Sequence, residues 1–201
     1  FDRLEDGGGY LVTEEFTNVA TADVNAIVVS MASSNAIVAL AAEDLDGVVG
    51  NDEMVPPRNV TVTTSTHADI DAVAVVVTGR VRNSDGKLVA QTDTITLTNG
   101  GGATDLGDAM FSIVDSVTIP AQGGSGGAVE VGFGALIGLG KAMKSRAGLR
   151  APIRQIAIGA VVTTGTFSAP ATNLPHGAYA PAAAPNGTND YAITYEVDTS
   201  F

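Results

Sequence analysis

The chain is 201 residues long, 45% apolar, free of cysteine and formally charged −12 at neutral pH. That length supplies one substantial core or two small β-domains, the missing cysteine excludes disulfides, thiolate nucleophiles and cysteine-based metal sites, and the acidic balance repels phosphate, so no direct nucleic-acid contact is expected. No apolar run approaches the roughly 20 residues of a membrane span, and the acidic, glycine-rich start does not read as a secretory leader, so no membrane association is expected.

Gly7, Gly8 and Gly9 close a start that reads as an arm or linker. Tyr10–Val19 reads as a first strand or as an arm laid over a neighbouring subunit. Val24–Met31 and Ala36–Leu40 are apolar enough for buried strands, separated by the turn residues Ser33, Ser34 and Asn35, with a short helix as the alternative over the Ala-rich positions 36–42. An acidic connection follows, and Pro56-Pro57 cannot continue a ladder. The expected division is therefore an N-terminal arm or small β-rich region over residues 1–57 and a main β-domain over residues 58–201.

The long hairpin from Asp71 to Thr98 carries the clearest pattern. Val73, Val75, Val77 and Val81 fall on one face and Thr78, Arg80 and Arg82 on the other; Asn83-Ser84-Asp85-Gly86 supplies the turn; Thr92, Thr94, Thr96 and Thr98 then line the wet face of the return strand. Further strands are expected within 109–120, at the odd positions Val129, Val131, Phe133, Ile137 and Leu139, as one long strand bent near Gly159 and Gly165 over 154–167, and at Tyr191, Ile193, Tyr195 and Val197. Residues 168–189, with four prolines, read as a long surface loop or arm, and residues 141–147 as at most two helical turns. The expectation is eight to eleven strands and almost no helix, an all-β, jelly-roll-like sandwich or barrel with extended arms and long Gly/Pro-rich loops.

Few residues point to chemistry. Gly132, Gly134 and Gly138 miss the dinucleotide-binding spacing by one residue, and no βαβ unit surrounds them. His67 and His176 sit in no metal-binding spacing and read as local hydrogen-bonding groups. Asp44, Asp46 and Asp52 offer oxygen ligands without EF-hand spacing, so a solvated acidic loop stands beside calcium as the reading. Asp69/Asp71 and Asp105/Asp108 do not establish a carboxylate pair. Tyr191 and Tyr195 read as packed strand residues, and Asn59 and Asn186 head glycosylation sequons that matter only in a glycosylating compartment. No catalytic residue, metal or cofactor is expected.

What remains is a set of interface candidates. Lys141, Lys144, Arg146, Arg150 and Arg154 are half of the basic residues, in fourteen positions without an acid; they read as a solvated loop or as a contact to another subunit or an acidic partner. Phe16 and Phe201, near opposite ends, read as packing within their own subunit or as anchors of exchanged arms.

The segments Asn59-Val60-Thr61-Val62-Thr63, Asn83-Ser84-Asp85-Gly86, Thr92–Thr98, Ser116-Val117-Thr118-Ile119, Val129-Glu130-Val131-Gly132-Phe133-Gly134 and Ala183–Ala192, in that order, resemble a diffuse family of tailed-bacteriophage virion proteins that decorate or cement the head. The resemblance covers roughly two thirds of the chain. It implies an all-β oligomer, with a trimer favoured, bound to the major capsid protein on the outer surface of the capsid, stabilising the shell and carrying no catalytic residue. The basic segment 141–154 departs from the family, whose members tend to have a Gly/Leu/Pro-rich connection there. A tail, baseplate or fibre-associated structural or glycan-binding protein, and a polysaccharide-degrading enzyme, are the competing readings.

Overall fold

The computed structural model describes residues 10–46, 53–83, 86–143, 155–157, 160–162, 165–168 and 176–197. Among them fourteen strands follow one another: β1 (Tyr10–Phe16), β2 (Asp23–Ala32), β3 (Val38–Ala41), β4 (Arg58–Thr64), β5 (Ala74–Arg82), β6 (Leu88–Thr96), β7 (Thr104–Phe111), β8 (Ile113–Ile119), β9 (Ala128–Gly138), β10 (Gln155–Ala157), β11 (Ala160–Val162), β12 (Thr166–Ser168), β13 (Ala178–Ala180) and β14 (Tyr191–Val197). The only helical piece among them is a 3-10 turn at Ala42–Asp44. Every pairing is antiparallel. The fold is all-β.

Two sheets share one core. The larger runs β12–β13–β9–β4–β7, with β2 also joining β9, and the smaller runs β3–β8–β5–β6. Val60 and Val62 of β4 and Val129, Val131 and Phe133 of β9 meet Val75, Val77, Ile95 and Val117 of the smaller sheet in a single buried cluster. The alternation read from the hairpin is the alternation observed: β5 is buried at every second residue, and Thr92, Thr94 and Thr96 are exposed. The chain passes from the larger sheet to the smaller through Ser112 alone, between β7 and β8. Both β2 and β3, which precede Pro57, are strands of these sheets.

The larger sheet is kinked by two bulges on either side of β4. Opposite Asn59 stand three residues of β9, Gly134, Ala135 and Leu136; opposite Val60 stand three residues of β7, Gly107, Asp108 and Ala109. Such bulges leave backbone groups outside the ladder, and buried ones need other partners. Side chains supply them. Arg58 donates from Nε to Gly134 O at 2.8 Å, Asn59 Oδ1 accepts from Leu136 N at 3.2 Å, and Asp93 Oδ2 accepts from Ala109 N at 2.9 Å.

A second, smaller core forms beyond the β9 bulge. Ile137 and Leu139 continue from β9 into a cluster with Tyr179, Tyr191, Ile193, Tyr195 and Val197, covered by Tyr10, Val12 and Phe16 of β1. β1 pairs with β14 along its whole length, Tyr10 opposite Val197 and Phe16 opposite Tyr191, so the two ends of the described chain lie side by side.

Burial pushes the hydroxyls of Tyr179, Tyr191 and Tyr195 above the ordinary tyrosine pKa of 10.0, and at Tyr195 the Glu14 carboxylate adds to it. A group raised in this way contributes stability that is complete below the unfolded value and is lost as pH climbs through the folded one. In an alkaline titration this second core is therefore expected to give way above about pH 10, with tyrosinate absorbance and loss of near-UV circular dichroism rising together. All four tyrosines ionising near pH 10 with the near-UV signal intact would contradict it.

Three expectations are corrected. The strand count exceeds eleven, because short three-residue strands pair locally. The stretch 154–167 is not one bent strand: β10 and β11 pair with Ala157 opposite Ala160, and β12 pairs elsewhere, with β13. Nor is 168–189 without regular structure, because Tyr179 buries its ring in the second core and brings Ala178–Ala180 alongside β9 and β12. Positions 36–42 resolve to strand and 3-10 turn.

Candidate interaction faces

Most of the residues weighed for chemistry are engaged locally. His67 lies against Gly126, before β9, and His176 against Leu139, after it, so the length of the strand separates them. His67 Nδ1 accepts from Asp69 N at 3.1 Å, and the Asp69 carboxylate accepts from Gly126 N at 2.8 Å. His176 is buried, with Nδ1 2.9 Å from Leu139 O. The Asp105 carboxylate accepts both the backbone N–H and the hydroxyl of Thr98 at 2.8 Å, tying the loop after β6 to β7. Asp44 accepts from Ala41 N, and Asp52 lies outside the described residues. Among the described residues no group of three His, Asp or Glu side chains is placed to hold a metal ion. Of the two sequons, Asn59 is buried in β4, while Asn186 is exposed in a turn where its Oδ1 accepts from Thr188 N and Oγ1 and from Asn189 N.

Of the interface candidates, Phe16 packs against the second core of its own chain. Lys141 is exposed; its backbone N–H donates to Tyr195 Oη at 3.0 Å, and its ammonium donates to Tyr10 Oη at 3.2 Å while lying 5.6 Å from that ring. Tyr195 in turn donates to Glu14 Oε1 at 2.7 Å, and Glu14 also accepts from Gly140 N, so the start of the basic run is held against the β1–β14 ribbon. Lys144, Arg146, Arg150, Arg154 and Phe201 lie outside the described residues. The positions nearest them, Met143 and Val197, are joined by a β-bridge.

The geometry adds two broad outward faces, one on each sheet. On the smaller sheet, cross-strand register lines up Ala41, Ser116, Thr78 and Thr92 in one row and Ala39, Thr118, Val76 and Thr94 in the next. Thr96, opposite Ala74, extends it. These side chains are exposed or half-buried, small, and without charge. In a chain with 22 carboxylates that is an unusual stretch of surface. Arg80, the next outward residue of β5, pairs with Asp115 in a two-pronged contact at 2.8 and 3.1 Å.

The outward face of the larger sheet has a different character. Leu106, Thr61 and Gly132 share a row, and the β2 backbone at Asp23 and Val24 closes over Gly132 so tightly that a Cβ there would lie 1.9 Å from Asp23 O. The next row joins Thr104, Thr63 and Glu130. Leu106, Val29 and Val24 are 62%, 56% and 42% exposed. Beside them a shallow groove is lined by Ser30, Thr63, Thr64, Ser65, Ala128 and Glu130. The Thr61 hydroxyl on this face is buried with no hydrogen-bond partner, as is that of Thr64, which faces the core beside Val129.

Sequence reasoning missed this second face because its residues come from four strands that are not neighbours in sequence. One signal was present: Leu106 is a large apolar residue at an outward position between Asp105 and Asp108. No family model matches the chain, and no curated protein or solved structure matches it.

Proposed function

We propose that this chain is a structural, non-catalytic virion protein that decorates the outer surface of an icosahedral phage capsid, bridging major capsid protein subunits as a homo-oligomer, a trimer in the family it resembles. The two-sheet arrangement supports a jelly-roll-like reading of the fold. The observation that carries the proposal is the uncharged face of the smaller sheet. Centres of protein interfaces are depleted in charge and match shape closely, and small side chains on a well-registered sheet offer flat area that loses little entropy on docking.

The magnitudes fit a repeated contact. Four strands about 4.8 Å apart and three rows of side chains span roughly 14 by 14 Å, about 200 Å² where a stable contact uses about 800 Å² per partner. One copy would hold weakly; an oligomer engaging several capsomers gains avidity without any new contact.

The test adds the protein to purified shells that lack it. Saturable occupancy and a raised disruption threshold are expected, and Thr94→Arg with Thr118→Arg, which places two cations in the middle of the face, is expected to lower occupancy at least about tenfold. Shells that take up no protein and break at an unchanged threshold would refute the proposal.

A further inference from the structure

The outer edge of the β1–β14 ribbon meets no described strand. Among the described residues β1 pairs with β14 alone, along all seven of its positions and without a register shift. Its other side therefore presents a row of backbone N–H and C=O groups, and edges of this kind are ordinarily blunted by proline, lysine or a bulge. β1 carries none of these. Its inward charge, Glu14, is taken up by Gly140 N and the Tyr195 hydroxyl within its own chain.

The second core is also thinner on β1 than on β14. Tyr191, Tyr195 and Val197 are buried, whereas Phe16, Val12 and Tyr10, directly opposite them, are only half-buried. One more strand alongside β1 would cover those three side chains and pair the outer backbone groups. On the other face of the ribbon Leu11, Thr13 and Glu15 are exposed, and the Thr13 and Thr194 hydroxyls lie 2.9 Å apart.

We infer that β1 pairs antiparallel with β1 of a second copy, Thr13 standing on the two-fold axis, so that two ribbons join into one four-stranded sheet. The residues of the strand select this register. With Thr13 opposite itself all seven positions pair: Tyr10 faces the partner's Phe16, Val12 the partner's Glu14 and Leu11 the partner's Glu15. Inward side chains then meet inward ones, and Val197, Tyr10, the partner's Phe16 and the partner's Tyr191 form one apolar row. A one-residue slip would set inward side chains against outward ones. A two-residue slip sets Glu14 against the partner's Glu14 in one direction and leaves Phe16 unpaired in the other. The covered strip is roughly 24 by 10 Å, far below the about 800 Å² per partner of a stable contact, so a single pairing holds copies weakly. It lies on the ribbon, apart from the face proposed to meet the shell, and is read in solution without shells.

Disulfide trapping on the full chain tests this directly, because the chain has no cysteine of its own. Residues directly opposite in an antiparallel pair have Cα atoms about 4.5–5.5 Å apart, within reach of a disulfide. Thr13→Cys is expected to form a covalent dimer at least about tenfold faster than Thr92→Cys, which is exposed on the smaller sheet. Leu11→Cys or Glu15→Cys alone is expected to stay unlinked, since like positions then stand about 14 Å apart, while an equal mixture of the two links. Sedimentation velocity at about 100 μM reads the contact without a cross-link. The sedimenting mass is expected to double with concentration; Leu11→Glu, which faces the partner's Glu15, weakens that step about fivefold, and Leu11→Lys strengthens it about as much. Near-UV circular dichroism is expected to be unchanged in every variant, because these positions are exposed. A mass independent of concentration, trapping at Thr13 no faster than at Thr92, a mixture that links no more than its members alone, or charges of either sign at Leu11 acting alike would overturn the inference.

Discussion

Asp93→Ala is expected to lower unfolding free energy by about 3–5 kcal/mol, from the loss of two charge-assisted hydrogen bonds at about 1.5–3 kcal/mol each. Asp93 belongs to the smaller sheet and points inward in the row Leu40, Val117, Val77. It is 3% exposed; Oδ1 accepts from Thr94 N at 2.8 Å and Oδ2 from Ala109 N at 2.9 Å, which satisfies the β7 bulge and fastens the edges of the two sheets together. Removing it leaves the buried Ala109 N–H and the part-buried Thr94 N–H without their acceptor, in a site packed so closely against Gly107 that a Cβ there would lie only 2.5 Å from Oδ2. Asp93→Asn keeps the shape and one acceptor oxygen but turns an NH2 toward the second donor, so roughly half of the loss is expected. Urea unfolding checks both. Since whole domains are stable by about 5–15 kcal/mol, the alanine variant should be close to unfolded at physiological temperature; a loss below about 1 kcal/mol would show that the bulge finds its acceptor elsewhere.

Arg58→Ala is the second large effect, also about 3–5 kcal/mol. Arg58 is 3% exposed, and among the described residues its guanidinium bonds to backbone oxygens, those of Gly134 and Ala20, while lying 5.1 Å from the Phe133 ring centre. Burial lowers its pKa from the usual guanidinium range to about 10, so it remains charged at neutral pH. The position explains why a cation is kept there: Arg58 stands between the two cores and satisfies, from one side chain, the β9 bulge and the loop from β1 to β2. Arg58→Lys preserves the charge but not the planar fork, and about half of the loss is expected. Arg58→Met separates the competing terms. If desolvation of the charge outweighs its hydrogen bonds, Met is as stable as the native residue; our account expects it to be less stable by about 2 kcal/mol, because two buried carbonyls lose their donors.

The hairpin that dominates the sequence also shows how far sequence reading reaches. Period-two alternation placed Val75, Val77, Thr92 and Thr94 on the faces they occupy. The same arithmetic puts Asp93 on the dry face with Ile95 and Leu97, so the most consequential carboxylate in the fold was legible as an exception to its own strand. Along β9 the odd-numbered apolar positions were read correctly for an incomplete reason. Three residues opposite one add two to the strand, an even number that leaves the parity of Phe133 and Ile137 unchanged, so the bulge is signalled by the glycines Gly132, Gly134 and Gly138 and not by the alternation. Pairing partners were beyond reach. That β1 lies against β14, or that β2 and β13 share an edge of β9, depends on contacts between distant parts of the chain, and no local periodicity encodes them. Residues 154–167 misled for the opposite reason, because their Ala, Val and Ile content suits one long strand as well as the short antiparallel pair that forms.

The faces follow from the same architecture. Two bulges satisfied by buried charges fix the larger sheet, and the core fixes the smaller one against it; of the uncharged face, the sequence showed only the threonine row of the return strand. Electron cryomicroscopy of capsids assembled with this chain tests that reading most directly. The account predicts density for the chain on the outer surface at sites between capsomers, with the rows of Thr78, Thr92, Thr94 and Thr118 turned toward the shell. Density in which those rows face solvent, or capsids that carry none of the chain, would contradict it.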